Sequence, residues 1–126
     1  MPTAYTSTAI TRANISNAVI NTIDFTFYFY DIPKDTAYVD IYKCILDFDD
    51  IDYIHVLFEN ESDVVYLLCE IGGVQQFEVH PNGAKDYQIV DCTGISGSKA
   101  LNLQVKNTDA ANPHWIQDLH MWSVDA

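Results

Sequence analysis

The chain has 126 residues, 48% of them hydrophobic and 19% charged, which is enough for one self-supporting domain and excludes a disordered chain. Eighteen Asp and Glu against six Lys and Arg give a formal charge of -12 at pH 7, a surface that repels phosphate backbones and anionic lipid. The cations Arg12, Lys34, Lys43, Lys85, Lys99 and Lys106 are scattered and form no stripe, so neither nucleic acid nor membrane is an expected partner.

Residues 3–21 are rich in Thr, Ser, Asn and Ala and read as an N-terminal arm or edge strand over 1–21, ahead of a single β-sandwich domain over 22–126. No basic start followed by an apolar block opens the chain, and no run of about 18 apolar residues occurs; synthesis in a reducing cytoplasm without general export is expected. Residues 23–30 alternate Phe25, Phe27 and Phe29 with Thr26, Tyr28 and Tyr30, a strand period. Residues 37–45 alternate as well, and the acidic turn Asp47-Phe48-Asp49-Asp50 then leads into 52–59, which predicts a hairpin. Residues 63–71 are apolar on both faces, and Gly72-Gly73 turns them into 74–79, a strong hairpin signal. Further strands are expected at 86–90, 99–105 and 115–124, separated by loops rich in Gly, Ser, Asn and Pro. No convincing amphipathic helix is present.

Eight to nine strands without an internal repeat predict an all-β fold, an antiparallel two-sheet sandwich of jelly-roll type with an extended N-terminal arm; a closed barrel is the alternative. In such a sandwich each strand should have one dry and one wet face. Residues 23–30, 53–58 and 64–69 break that rule, with only Thr26 and His55 interrupting their apolar and aromatic faces. Another subunit covering the outer face explains this, which makes Tyr28, Tyr30, Tyr38, Tyr42, Tyr53 and Tyr66 candidate interface residues. The competing reading is ordinary cross-strand aromatic pairing on a half-exposed sheet.

Little catalytic chemistry is legible. Asp47, Asp49, Asp50 and Asp52 are the densest carboxylates and form a weak calcium candidate, but the EF-hand spacing fails at Ile51 and no glycine follows; a solvated acidic turn is the plainer reading, and no metal or other cofactor is expected. His55, His80, His114 and His120 make no metal motif. Of these, His114 and His120 are six apart, which on a regular strand places them on one face. Cys44, Cys69 and Cys92 are an odd set at wide spacing, as expected of buried reduced thiols. Nucleophile elbows, phosphate loops and HExxH are absent, so the protein is expected not to be an enzyme. Trp115 and Trp122 are an odd number of positions apart, hence on opposite faces of a regular strand; one fills core, and the other could stack on a sugar or pack at a subunit contact.

The segment from Ser96-Gly97-Ser98-Lys99 through Leu101-Asn102-Leu103-Gln104-Val105-Lys106-Asn107, followed by Trp115-Ile116-Gln117-Asp118-Leu119-His120-Met121-Trp122, resembles the ending of galactose-binding-like jelly rolls. Many carbohydrate-binding modules close with such a strand ending in Asn, a loop, and a hydrophobic strand containing Asp. The resemblance covers the C-terminal third. It implies a jelly roll in which glycan would bind through loop or concave-face aromatics. The same type is similar to decoration or cement proteins of tailed-phage capsids and to modules of phage tails. That likeness implies a virion structural protein on the outer capsid surface, made in the host cytoplasm. Such a subunit would form a homo-oligomer, dimer or trimer, and clamp the major capsid protein; a carbohydrate-binding or tail-associated receptor-binding role is the alternative.

Overall fold

The computed structural model describes residues 15–60, 62–83 and 85–125, with 15–17 and 27–31 described by their backbone. The strands are β1 (Ile15–Ile20), β2 (Asp24–Ile32), β3 (Thr36–Asp47), β4 (Ile51–Asn60), β5 (Val65–Ile71), β6 (Val74–Val79), β7 (Lys85–Asp91), β8 (Ser98–Asn107) and β9 (His114–Asp125). They form a five-stranded sheet, β1-β3-β8-β5-β6, and a four-stranded sheet, β2-β9-β4-β7.

The connectivity follows from one local event. Gly72 and Gly73 take φ of 58° and 80°, the left-handed pair that a two-residue type I′ turn requires and that costs nothing only in glycine. The turn reverses β5 into β6 with Ile71 opposite Val74, and the chain then retraces its own course: β7 pairs with β4, β8 with β3 and β9 with β2, all antiparallel. One long double ribbon is thereby rolled into two layers, which is the jelly roll. Among the described residues only β1 departs from the antiparallel rule, joining the edge at β3 in parallel. The segment 1–14 of the expected arm lies outside the described residues.

The hairpin expected on either side of the acidic turn is not formed. β3 and β4 belong to different sheets, and residues 48–50 make a single 3-10 turn that carries the chain across the sandwich. Asp47 caps that turn, its carboxylate accepting from the Asp49 N–H, while Phe48 is buried beneath it. A turn whose first residue is an anchor in the core cannot sit at the exposed tip of a hairpin.

The two inner faces interdigitate. Cys44, Leu46, Leu67, Cys69, Leu101, Leu103 and Val105 from one sheet meet Ile54, Val56, Phe58, Ile116, Leu119 and Met121 from the other, all buried. Each large side chain removed from water in this way stabilises the fold by about 1.5–3 kcal/mol. Phe25 adds a ring stacked on Tyr42, with centroids 4.0 Å apart and planes 16° from parallel.

Along β9, Ile116, Leu119 and Met121 are all buried, a spacing of three followed by two. The extra residue is a bulge: opposite β4, Glu59 faces Asp118 but Asn60 faces Ile116, which skips Gln117. A bulge switches the face on which every residue before it appears. Trp115 and Trp122 therefore share the outer face, contrary to the regular-strand expectation. By the same switch His114 and His120 lie on opposite faces.

Beyond β8 the loop is pinned from inside. Asn107 is buried, and its amide donates to the carbonyls of Ile32, Pro33 and Asn112 while its oxygen accepts from the Asp109 N–H. Asp109 in turn accepts from the N–H groups of Ala111 and Asn112 and lies 2.8 Å from His114. These contacts, the His114 bond foremost, lower the Asp109 carboxyl pKa to about 2. One side chain thus ties the ends of β2, β8 and the entry to β9 together.

Candidate docking face

The outer faces of the two sheets are unlike. On the five-stranded sheet Tyr38 and Tyr66 are half-buried by contacts within the protomer, while Val19, Val39 and Val74 are exposed. Tyr38 on β3 reaches across β8 and β5 to donate to the Glu78 carboxylate on β6, a span of about 14 Å at the usual strand spacing. Lys106 lies beneath, its Nζ 4.8 Å from the Tyr38 ring centre and 4.5 Å from that of Tyr66, and Tyr66 stacks on His80 at 4.3 Å. A cation held between two ring faces is attracted by the negative faces of both. Leu68, which points outward beside Glu78, is only 8% exposed. Burial, and then the Glu78 carboxylate, pushes the Tyr38 hydroxyl pKa up.

The four-stranded sheet is open. Its pairing lays the outward residues in rows across β7, β4, β9 and β2. Asp91, Tyr53 and Val124 form the first row. Ile89, His55, Trp122 and Asp24 form the second, Tyr87, Leu57, His120 and Thr26 the third, and Lys85, Glu59 and Asp118 the fourth. The middle is apolar and aromatic, whereas the border carries Asp24, Glu59, Asp91 and Asp118. Tyr53 is 38% exposed, Tyr87 51% and Ile89 54%, an apolar group on a surface otherwise as acidic as this one.

Ring geometry in this patch limits what it can hold. Trp122 and His55 have centroids 5.2 Å apart with planes 14° from parallel; rings lying side by side in one plane would stand farther apart, so their faces overlap. His120 closes on Trp122 at 4.4 Å, and Tyr87 lies 6.3 Å from Trp122 at 21°. The Tyr87 hydroxyl is hydrogen-bonded to His55 Nδ1, and His120 Nε2 to the Asp24 carboxylate at 2.7 Å. Trp122, His55 and His120 thus spend ring faces on one another, while Tyr53 and Tyr87 stay open to solvent.

The candidate residues are distributed as follows. Tyr53 and Trp122 lie in this patch, Tyr38 and Tyr66 in the roof of the other sheet, and Tyr42 in the core at 7% exposure. Trp115 is on the same outer face as Trp122, several residues along β9 and outside the rows above. The side chains of Tyr28 and Tyr30 lie outside the described residues. Residues missed in the sequence are Tyr87, Ile89 and His120; the alternation Lys85, Tyr87, Ile89, Asp91 on β7 was the available signal. Asp47 and Asp49, of the calcium candidate, spend carboxylate oxygens on the N–H groups of Asp49 and Gly97. Among the described residues no group of three or more His, Cys, Asp or Glu is arranged to hold a metal ion. Cys44, Cys69 and Cys92 are free and buried.

No protein-family model and no curated protein matches the chain. Among solved structures it is similar to the CBM36-1 domain of a multidomain xylanase from the hindgut metagenome of Trinervitermes trinervoides, at 12% identity over 84% of this chain and 100% of that one, TM-score 0.49. It is also similar to the carbohydrate-binding module CBM36 in complex with calcium and xylotriose, at 14% identity over 86% of this chain and 76% of that one, TM-score 0.39. A third likeness is to the infectious bursal disease virus VP2 subviral particle, at 8% identity over 82% of this chain and 33% of that one, TM-score 0.43; the chain spans about a third of that viral protein. Identities of 8 to 14% transfer no ligand, partner or residue role.

Proposed function

We propose that the protein is a non-enzymatic structural subunit of a virus particle, a decoration or cement subunit of the phage-capsid type, which oligomerises and clamps neighbouring capsid protein through the outer face of its four-stranded sheet. The observation that carries this reading is the asymmetry of the two faces. One sheet roofs its own aromatics with Tyr38, Lys106, Tyr66 and Glu78, while the other leaves Tyr53, Tyr87 and Ile89 in solvent around Trp122. The open aromatic face has the apolar centre and polar border of a protein interface. The net charge of -12 suits a position outside a shell, away from packaged nucleic acid.

Size-exclusion chromatography with light scattering, together with sedimentation on shells lacking the subunit, tests this. Wild type should bind shells, and Trp122→Ala combined with Tyr53→Ala should abolish binding while leaving the circular dichroism unchanged. A monomer that ignores shells overturns the proposal. The glycan-binding alternative needs a ring face free to lie against a sugar, and Trp122 has His55 over one face and His120 close by. A glycan-array signal lost in Trp122→Ala would nevertheless replace the docking reading with that one.

A further inference from the structure

The four-stranded sheet ends in β7, and among the described residues β7 pairs with β4 alone. Proteins guard such edges with bulges, prolines, short strands or charged side chains, because a row of unpaired N–H and C=O groups invites another strand. β7 has no bulge and no proline; its guards are charges, Lys85 and Asp91 on the outer face and Asp86 on the inner face opposite Phe58. It runs opposite β4 from Lys85 to Asp91 without a register shift, holds neither proline nor glycine, and exposes Tyr87 and Ile89. The other three edges differ. β1 and β6 carry register irregularities against their neighbours, and β1, β2 and β6 contain no Lys or Arg. Of the four edge strands only β7 carries both a cation and an anion.

The order of its residues is self-complementary. We infer that two copies of the chain pair edge to edge through β7, antiparallel, about a two-fold axis at Gln88, which joins the two four-stranded sheets into one sheet of eight strands. With the axis there, Lys85 of each copy faces Asp91 of the other, and Tyr87 of each faces Ile89 of the other, all on the outer face. Directly opposed residues of an antiparallel pair have Cβ atoms about 4.5–5.5 Å apart, so the charges and the apolar pairs meet at contact distance. Lys85, which makes no ion pair among the described residues, would lie between Glu59 of its own chain and Asp91 of the second copy. Shifting the axis by one residue, to Tyr87 or Ile89, loses the match, since Lys85 would then face Ile89 or Thr93. The pairing also sets two docking patches side by side, and to that extent the inference deepens the proposed function; the dimer itself stands on the edge alone.

Sedimentation equilibrium at about 0.15 M salt, where the Debye length is about 8 Å and the general repulsion between acidic chains is largely screened, is the test. Wild type should dimerise. Lys85→Glu makes each chain two units more negative and Asp91→Lys two units less, yet each single variant should weaken the dimer about tenfold, because each sets like charges opposite one another twice. The double swap Lys85→Glu with Asp91→Lys should restore it. Asp91 also accepts from the Thr93 N–H and hydroxyl, so urea unfolding confirms that each variant is folded, and rescue by the swap excludes a damaged turn as the cause. Gln88→Cys should cross-link to itself on mild oxidation, and Ile89→Cys should not. A wild type that stays monomeric, an Asp91→Lys chain that dimerises more tightly, or a swap without rescue overturns the inference. A monomer that still binds shells through Trp122 overturns it and leaves the docking proposal standing.

Discussion

Replacing Asn107 by alanine tests whether a single buried amide holds the ends of three strands. Its side chain donates at 3.1–3.3 Å to three carbonyls and accepts at 2.9 Å from Asp109 N–H. An amide has two N–H groups, so two donated bonds and one accepted bond are lost, each worth about 1 kcal/mol net, and the carbonyl of Ile32 is left without that partner in a buried setting. The expected cost is about 3 kcal/mol, which for a domain of this size lowers Tm by about 10 °C. Urea unfolding followed by tryptophan fluorescence measures it, provided the m-value is unchanged. Asn107→Asp should cost more at neutral pH, because a carboxylate cannot donate to carbonyls and would stand beside Asp109. A loss below about 1 kcal/mol in the alanine variant would refute the pinning argument and show that the loop holds its shape through its own backbone.

Three further outcomes follow from the geometry. Burial pushes the Cys69 thiol pKa up to about 12 and that of Cys92 to about 11, and raises that of Cys44, so a thiol reagent at pH 8 should label the native protein no faster than it unfolds, against rapid labelling in urea. The Asp109 carboxyl is lowered to about 2, so its contribution to stability is fully present above the unfolded value of about 3.9 and is lost as pH falls through the folded value; Asp109→Asn should flatten the acid limb of the stability curve between about pH 4 and 2. Gly73→Ala forces a side chain into φ of 80° with no atom near enough to clash, and should cost about 1–2 kcal/mol from backbone strain alone, read by thermal melting.

The sheet architecture was legible because strand period and glycine punctuation are local. The Gly72-Gly73 pair alone named the hairpin from which the double ribbon is rolled. What a period of two cannot reveal is where a strand changes sheet or phase. The acidic turn looked like a hairpin tip because its carboxylates dominate the sequence, whereas Phe48, the residue that decides its course, is a buried anchor between them. The bulge at Gln117 left no mark in composition, and it reversed the expected facing of Trp115 and His114. At the site, greasy faces could be counted but not ranked. Whether a tyrosine is core, roof or open surface depends on what crosses over it from other strands, and Tyr42, Tyr38 and Tyr53 fell one into each class.

The bulge in β9 makes chain length, and not only residue type, a determinant of the molecular exterior. Were Gln117 deleted, everything from His114 to Ile116 would turn over: an isoleucine now shut inside would be presented to water, and an indole would be driven inward against Ile32 and Asn60. A single codon lost there would be felt as an inversion of one end of the molecule, whereas many replacements of Gln117 by another residue would pass unnoticed.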